Sequence, residues 1–211
     1  MPWHENFNIT KQLDLKEAHY YFSQEDETDH SHYSRAGTLI VSRFPIVAKG
    51  DLLASKNGFN RISFADLQIG PDTVRVINVH LESMGLGINS QTASRREEPN
   101  LSLMNVLNKL KEGTFERIEQ NKKLIGFIEE SPYPVICAGD FNDLPYSYSY
   151  QLLKRSMKNS FEESGAGFGF TFAGRLLNLL RIDNQFYTHP VQSVGFETLY
   201  SIGFSNHFPI Q

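Results

Sequence analysis

A short apolar run that ends in polar residues constrains this chain more than any other feature. Residues 135–138 are all apolar and are followed by Gly139, the pattern of a buried strand in a covered sheet. Asp140 and Asn142 come next, separated by Phe141, so strand geometry predicts both polar side chains on one side and the phenyl ring on the other. A carboxylate and an amide at the open end of a sheet suit the binding of a water or a hydrated metal ion beside a phosphate. Because Gly, Asp and Asn are also common in turns, the segment taken alone is more readily explained as a strand-to-turn junction.

Composition places the chain among ordinary globular proteins. Its 211 residues are 40% hydrophobic and 21% charged, which suits one domain with a substantial core. The formal net charge is −4 and the lysines and arginines are scattered, so no strong patch for non-specific nucleic-acid binding is predicted. The single cysteine, Cys137, lies in the apolar run, which leaves no disulfide framework or thiolate metal site within the chain. No apolar run is long enough to span a bilayer and the start lacks signal-peptide features, so the localisation is left open.

Other segments also have the pattern of strands. They are residues 38–42, 61–69, 74–81 and 181–187. Residues 61–69 alternate apolar and polar side chains, which predicts a half-exposed strand, whereas residues 74–81 form an apolar run with Asn78 and His80 on one face near its end. A lone histidine at a strand end is usually structural. Two strands that each end in polar side chains after a buried run nevertheless favour a shared site at one edge of the sheet.

Helices and loops are predicted for most of the remaining chain. Amphipathic helices that would cover a sheet are predicted at residues 101–111, 115–130 and 147–157, and a short helix from about residue 9 is linked onward through residues 18–22. Loops are predicted at residues 23–34, 84–100 and 165–172. The first loop contains Asp29, His30 and His32, which could mimic a metal cluster but are better explained as solvated side chains. The last is rich in glycine and aromatic residues without phosphate-loop spacing, so we interpret it as structural or substrate-shaping.

Four groups of polar residues thus follow apolar strands. They are His80, Asp140 with Asn142, Asp183, and Asn206 with His207. Phosphodiester hydrolysis needs such a set, in which a divalent ion neutralises the phosphate oxygens, a carboxylate aligns or deprotonates the attacking water, and imidazolium groups stabilise the transition state. A histidine acts best in that role when a carboxylate fixes its tautomer, which Asp183 could do for His207.

Five motifs, in this order, resemble those of the endonuclease/exonuclease/phosphatase superfamily, which shares the fold of pancreatic deoxyribonuclease. The motifs are Gly37-Thr-Leu-Ile-Val-Ser-Arg-Phe-Pro-Ile46, Asn78-Val-His-Leu81, Gly139-Asp-Phe-Asn142, Arg181-Ile-Asp183 and Ser205-Asn-His-Phe-Pro209. The resemblance covers nearly the whole chain and, through residues 131–135 and 144–148, extends to uncharacterised bacterial members. It implies an α/β (α+β) fold, a four-layer β-sandwich with two mixed sheets packed face to face and flanked by helices, which agrees with the alternation of strands and helices.

The resemblance also implies a function and a set of roles. Asp140 would hold the nucleophilic water with Asn142 helping to orient it, His80 and His207 would contact the phosphate, and Asp183 would orient a histidine. Asp140 and Asn206 would be ligands of Mg²⁺ or Mn²⁺. The expected activity is metal-dependent hydrolysis of phosphodiester or phosphomonoester bonds by an activated water. The substrate is left open among nucleic acid, phospholipid head groups and inositol phosphates.

Three departures from the family pattern qualify these expectations. Members begin with a strand ending in a metal-binding Asn and a second ending in "QE", and they continue into a closing strand beyond the position of Gln211. Residues 1–211 are therefore expected to be one domain truncated at the N-terminus and slightly at the C-terminus. Gln24-Glu25 is interpreted as a chance match to "QE". Asn206 stands where the family has a metal-binding Asp, which predicts weaker metal binding, and Asn184-Gln185 replaces the usual "YI". The alternative function is therefore a catalytically lapsed member acting as a binding or scaffold domain.

Overall fold

A computed structural model describes residues 18–24, 37–54, 60–83, 103–173 and 178–211, which have an α/β fold. The strands are β1 (His19–Gln24), β2 (Gly37–Ser42), β3 (Ile46–Ala54), β4 (Arg61–Ile69), β5 (Asp72–His80), β6 (Val135–Asp140), β7 (Lys158–Asn159), β8 (Phe172–Ala173), β9 (Asn178–Leu180) and β10 (Asp183–Tyr187). The helices are α1 (Leu103–Glu129), α2 (Tyr148–Ser156) and α3 (Ser160–Ser164).

The main sheet has six strands in the order β3-β4-β5-β6-β10-β7. All its neighbours pair antiparallel except β5 and β6, which are parallel, so this is a mixed sheet. In a parallel pair the connection must cross over, and here α1 lies on that crossover. The carboxyl ends of β5 and β6 therefore lie together at one edge of the sheet, next to the first residue of β10.

The two faces of the main sheet are covered differently. One face packs against the helices in a hydrophobic core built from residues such as Ile77, Cys137, Phe186, Leu124 of α1 and Leu153 of α2. Burial of this apolar surface is the main source of stability for such a fold.

The β1–β2 sheet packs on the opposite face of the main sheet. The hydroxyl groups of Thr38 and Ser63 are 2.9 Å apart, and Asn78 Nδ2 donates to the Leu39 carbonyl at 3.1 Å. The described residues thus contain two sheets face to face and an outer helical layer, in agreement with the predicted sandwich. The helix predicted from about residue 9 lies outside the described residues, as do most of loop 23–34 and the loop at residues 84–100.

The prediction of two helices at residues 101–111 and 115–130 is wrong, because α1 is continuous from Leu103 to Glu129. The apparent break includes Gly113, which is a weak helix former. A Cβ atom on Gly113 would lie 2.8 Å from the carbonyl oxygen of Ser83. This glycine therefore allows the helix backbone to approach the end of β5 closely and does not interrupt the helix.

Four further strands differ from what the sequence predicted. Residues 18–22, predicted as a link, lie largely in β1, and Ser23, predicted to be in an exposed loop, is buried. β4 has the predicted bounds but is covered on both faces, because its polar residues Arg61, Ser63 and Asp66 are buried with polar partners. β3 was not predicted. The strand at residues 181–187 begins two residues later than predicted, at Asp183.

Gly139 is indispensable to the strand that carries Asp140. Its φ is +142°, and a Cβ atom there would lie 2.0 Å from the carbonyl oxygen of Val79. We expect Gly139→Ala to lower the free energy of unfolding by about 3 kcal/mol, because both the backbone conformation and the β5–β6 pairing would have to change. Gly126→Ala is the matched control, since no atom lies within 4 Å of its added Cβ.

Chemical denaturation of both variants checks this expectation. Alanine is the better helix former, so Gly126→Ala should be neutral or stabilising by up to about 1 kcal/mol. Equal stabilities for Gly139→Ala and the unsubstituted chain would contradict the steric argument.

No helix among the described residues has the length and apolar character needed to cross a membrane.

Candidate active site

One row of paired residues forms the floor of the candidate site. His80 at the end of β5 is in register with Asp140 at the end of β6, and Asp140 is in register with Asp183 at the start of β10. Residues in register on neighbouring strands place their side chains on the same face of a sheet. The pairing continues beyond the strands, because Leu81 N donates to the Asp140 carbonyl at 3.0 Å. The backbone alone therefore places one imidazole and two carboxylates side by side.

His207 completes this cluster from the segment near the end of the chain. Its Nδ1 lies 2.9 Å from Asp183 Oδ2, and its Nε2 lies 3.9 Å from Asp140 Oδ2. On the other side, His80 Nε2 lies 4.0 Å from the same oxygen of Asp140. The Asp140 side chain is only 12% exposed, whereas those of His80 and His207 are 36% and 31% exposed. A largely buried carboxylate thus lies between two half-exposed imidazoles.

Asn142 lies beside the cluster, but its position is not set by strand alternation as predicted. β6 ends at Asp140, and Asn142 has a left-handed backbone with φ of +48°. Its N–H donates to Asp140 Oδ1 at 2.7 Å, and its Nδ2 donates to the Leu81 carbonyl at 3.0 Å. An Asx turn therefore holds Asn142 beside Asp140, while Phe141 packs in the core against Phe186 as predicted.

Burial dominates the electrostatics of Asp140. Removal from water, with the adjacent charge of Asp183, raises the pKa of Asp140 to about 7, against opposing effects of His207, the Asn142 N–H and Arg117. Burial lowers the pKa of His207, but the hydrogen bond and charge of Asp183, together with Asp140, outweigh it and leave that pKa above its ordinary value. A carboxylate with this pKa can accept a proton near neutral pH, and a raised imidazole pKa favours imidazolium.

The raised pKa of Asp140 predicts a pH-dependent cost to stability. An acid with a folded pKa above its unfolded value gives full stability below the unfolded pKa, and this is lost as the pH rises through the folded pKa, here between about pH 4 and 7. In metal-free buffer at pH 8, we therefore expect Asp140→Asn to increase the free energy of unfolding by about 1–3 kcal/mol.

Thermal melts with a chelator at pH 4 and pH 8 check this expectation. The gain from Asp140→Asn should be large only at pH 8, whereas the exposed control Asp72→Asn should change little at either pH. A lower melting temperature for Asp140→Asn at pH 8 would show that burial of the Asp140 charge is not destabilising.

Asn206 lies next to His207, but its side chain is exposed. Its Oδ1 accepts a hydrogen bond from Ser205 Oγ at 3.4 Å, and its carbonyl oxygen accepts one from Ala173 N at 2.9 Å. The His207 N–H donates to Ser205 Oγ at 3.1 Å, so the side chain of Ser205 organises this turn. The Ser205 hydroxyl thus contacts the Oδ1 atom of Asn206. This contact does not by itself define a role for Asn206 in metal binding.

Sequence analysis did not identify Arg117, a buried arginine behind the site. Its Nη1 donates to the carbonyl oxygens of Glu82 and Ser83, and its Nε lies 3.8 Å from Asp143 Oδ2. Arg117 therefore links the segment after His80 to the loop after Asn142. The signal was present in the helix pattern, because Arg117 and Asn121 continue the buried stripe of Leu124 and Ile128.

The two carboxylates of the cluster fit a hard divalent cation in chemical type. One ligand atom from each of Asp140, Asp183 and His207 lies within 4.8 Å of the others, and among the described residues this is the one such group of acidic, His or Cys side chains. Carboxylate oxygens are preferred ligands of Mg²⁺ and Mn²⁺. Burial disfavours the Asp140 charge, and a cation would compensate for it.

The chain is similar to known proteins in sequence and in structure. The model of the Endonuclease/Exonuclease/phosphatase family matches residues 2–207. No curated protein matches the sequence.

Several solved structures share the fold. A 3′ phosphatase from Neisseria bound to product DNA hairpin has 17% identity and a TM-score of 0.63, covering 99% of this chain and 84% of that chain. The mannosyl-6-phosphatase of Bacteroides thetaiotaomicron has 18% identity and a TM-score of 0.58, covering 90% and 75%. Sphingomyelinase C from Streptomyces griseocarneus has 16% identity and a TM-score of 0.56, covering 87% and 70%. At these identities the likeness establishes the fold alone.

Proposed function

Because this chain belongs to the endonuclease/exonuclease/phosphatase family, whose members hydrolyse phosphoester bonds, we propose that it is a metal-dependent phosphoesterase. The observation that carries the proposal is the position of Asp140, largely buried between two imidazoles with Oδ2 about 4 Å from both of them. Such an arrangement provides a proton acceptor for a water and, beside it, two imidazoles that can donate to a phosphate.

In the proposed reaction, Asp140 aligns the attacking water and takes its proton. Oδ1 of Asp140 is held by the Asn142 N–H, whereas Oδ2 lies between the two imidazoles. The oxygen of the water then forms a bond to phosphorus as the bond to the leaving oxygen breaks. Asn142 restrains the orientation of Asp140 through this hydrogen bond.

His207 and His80 are proposed to contact the phosphate. With Nδ1–H donated to Asp183, the Nε2–H of a protonated His207 points to the same side as Asp140 Oδ2 and can donate to a phosphate oxygen. His80 approaches Asp140 Oδ2 from the other side at 4.0 Å. The two imidazoles could thus stabilise the negative charge that accumulates in the transition state.

Asp140 and Asn206 are the proposed ligands of Mg²⁺ or Mn²⁺. Members of the family generally use divalent metal ions. When bound, the ion would neutralise phosphate charge and polarise the ester. Asn206 supplies an oxygen but no charge, so the chain is expected to bind such an ion weakly.

Asn206→Asp is expected to tighten Mg²⁺ binding by about 10-fold, because it adds a carboxylate where an amide oxygen now stands. Calorimetric titration of Mg²⁺ measures the change. Gln192→Glu is the matched control, because it adds the same charge at an exposed position that lines a different cleft. A similar gain in both variants would indicate a general electrostatic effect rather than a ligand at residue 206.

The substrate is proposed only as a phosphate ester, since the structural relatives act on different ones. By their names, one is a 3′ phosphatase with a DNA product, one a mannosyl-6-phosphatase and one a sphingomyelinase. A panel of single-stranded DNA, abasic duplex, sphingomyelin, mannose 6-phosphate and inositol phosphates, each assayed with Mg²⁺, with Mn²⁺ and with a chelator, tests the proposal. Turnover that stops with the chelator supports it; no turnover of any ester opposes it.

A second candidate function, a catalytically lapsed binding or scaffold domain, is favoured by one observation, the amide at residue 206. This candidate predicts that the chain retains affinity for a phosphate ester but does not hydrolyse it. It further predicts that Asn206→Asp improves metal binding without producing turnover. The same calorimetric and activity measurements therefore distinguish the two candidates.

A further inference from the structure

The segment from Thr171 to Ala173 contacts both partners of the Asp183–His207 pair. Phe172 packs its ring against the His207 imidazole with centroids 4.9 Å apart, and Ala173 N donates to the Asn206 carbonyl at 2.9 Å. This segment includes the end of the glycine-aromatic loop for which the sequence suggested a structural or substrate-shaping role. The reaction proposed above does not use Thr171, Phe172 or Ala173.

Thr171 lies at the centre of these contacts and is fully buried. Its Oγ1 accepts hydrogen bonds from two successive backbone groups, Ile182 N at 3.1 Å and Asp183 N at 3.0 Å. Its carbonyl oxygen accepts one from Phe208 N at 2.7 Å, directly after His207. One residue therefore restrains the backbone of Asp183 through its side chain and the backbone beside His207 through its main chain.

The acceptor for the N–H groups of Ile182 and Asp183 is the side-chain hydroxyl of Thr171, which the backbone at this position could not replace. Asp183 and His207 come from different segments, and their contact at 2.9 Å depends on where each backbone lies. Misplacement of a functional group by about 1 Å can cost about 10²-fold in rate. Loss of the acceptor would leave two buried N–H groups unpaired at the start of β10, and the backbone would have to shift to find new partners.

We propose that Thr171 is a positioning residue, whose hydroxyl holds Asp183 in the place from which it orients His207. The catalytic consequence of this proposal rests on the phosphoesterase function proposed above. Its structural consequence, the geometry of the Asp183–His207 hydrogen bond, is independent of that function. Thr171 would act only through Asp183 and would not touch the substrate.

The test compares Thr171→Val, which keeps the shape but removes the acceptor, with Thr171→Ser, which keeps the acceptor but removes the methyl group. For Val we expect kcat to fall by about 10-fold with KM changed by less than about 2-fold, and for Ser we expect kcat within about 3-fold of the unsubstituted chain. A second readout is the downfield NMR signal of the His207 Nδ1 proton, assigned by its loss in His207→Gln. This signal should shift or broaden in the Val variant and be retained in the Ser variant.

Each outcome has a defined meaning. An unchanged proton signal and unchanged kcat in Thr171→Val overturn the proposal, as does a Ser variant that is as impaired as the Val variant, since the methyl group would then be what matters. If the Val variant does not fold, Thr171→Cys, with a weak sulfur acceptor, is measured in its place and should be impaired relative to Ser. A perturbed proton signal in a chain with no hydrolytic activity would support the positioning role while rejecting the phosphoesterase function.

Discussion

Asp140→Ala is expected to lower the metal-dependent rate of phosphoester hydrolysis by at least about 10³-fold. The variant removes the proposed proton acceptor and one proposed metal ligand together. It also removes the carboxylate that lies 3.9 Å and 4.0 Å from the two imidazoles. The side chain of Phe141, which anchors this segment in the core, is unchanged, so the fold should persist.

Initial rates at saturating Mg²⁺, on whichever ester the substrate panel identifies, provide the measurement. Asp72→Ala is the control, because Asp72 is exposed at the opposite end of a neighbouring strand, β5. The melting temperature of each variant separates loss of chemistry from loss of structure. A rate for Asp140→Ala equal to that of the control would show that the proposed mechanism is wrong.

His207→Ala is expected to lower the rate by about 10²- to 10⁴-fold, mainly through kcat, because the imidazole is proposed to donate to charge that develops in the transition state. Asp183→Asn should lower it by a smaller factor, since the amide keeps a hydrogen-bonding group beside His207 but removes the charge that raises the pKa of His207. His19→Ala at an exposed position at the start of β1 is the control.

The double variant that combines Asp183→Asn with His207→Ala tests whether Asp183 acts through His207. If it does, Asp183→Asn should cost little more once His207 is alanine, because groups that act as a unit give strongly non-additive losses. Losses that multiply in the double variant would instead assign Asp183 an independent role, such as direct metal binding. This cycle therefore distinguishes the two roles that its position beside both His207 and Asp140 allows.

Much of the site was predictable from sequence because its residues are attached to strongly patterned strands. The apolar runs before Asp140 and before His80 identified β6 and β5, and the polar residues at both strand ends favoured a shared site at one edge of the sheet. The parallel pairing of these strands, which places their carboxyl ends together, became known only from the structure. Ser147 was also correctly placed at the start of a helix, where its side chain accepts from Tyr150 N as a cap. These are local signals, carried by a few adjacent residues.

The features that were missed depend on partners distant in sequence. In the sequence, Gly113 has the pattern of a helix break. In the structure it lies within α1, where the helix backbone passes close to the carbonyl oxygen of Ser83. No local motif marks Arg117 or Thr171 in the sequence. Their roles come from the carbonyl and N–H groups that they contact in the fold. Asn142 was assigned to the correct place for the wrong reason, since an Asx turn rather than strand alternation holds it.

The parallel pairing of β5 with β6 has a consequence for how the protein folds. The meander β3–β4–β5 can close through short connections, whereas contacts such as that between Asn142 and Leu81 join residues 61 positions apart in sequence. Loop-closure entropy delays contacts of such long range. His80 and Asp140 are therefore expected to meet late on the folding pathway, after α1 has docked. A fragment that ends before β6 would contain His80 but none of the other residues of the candidate site.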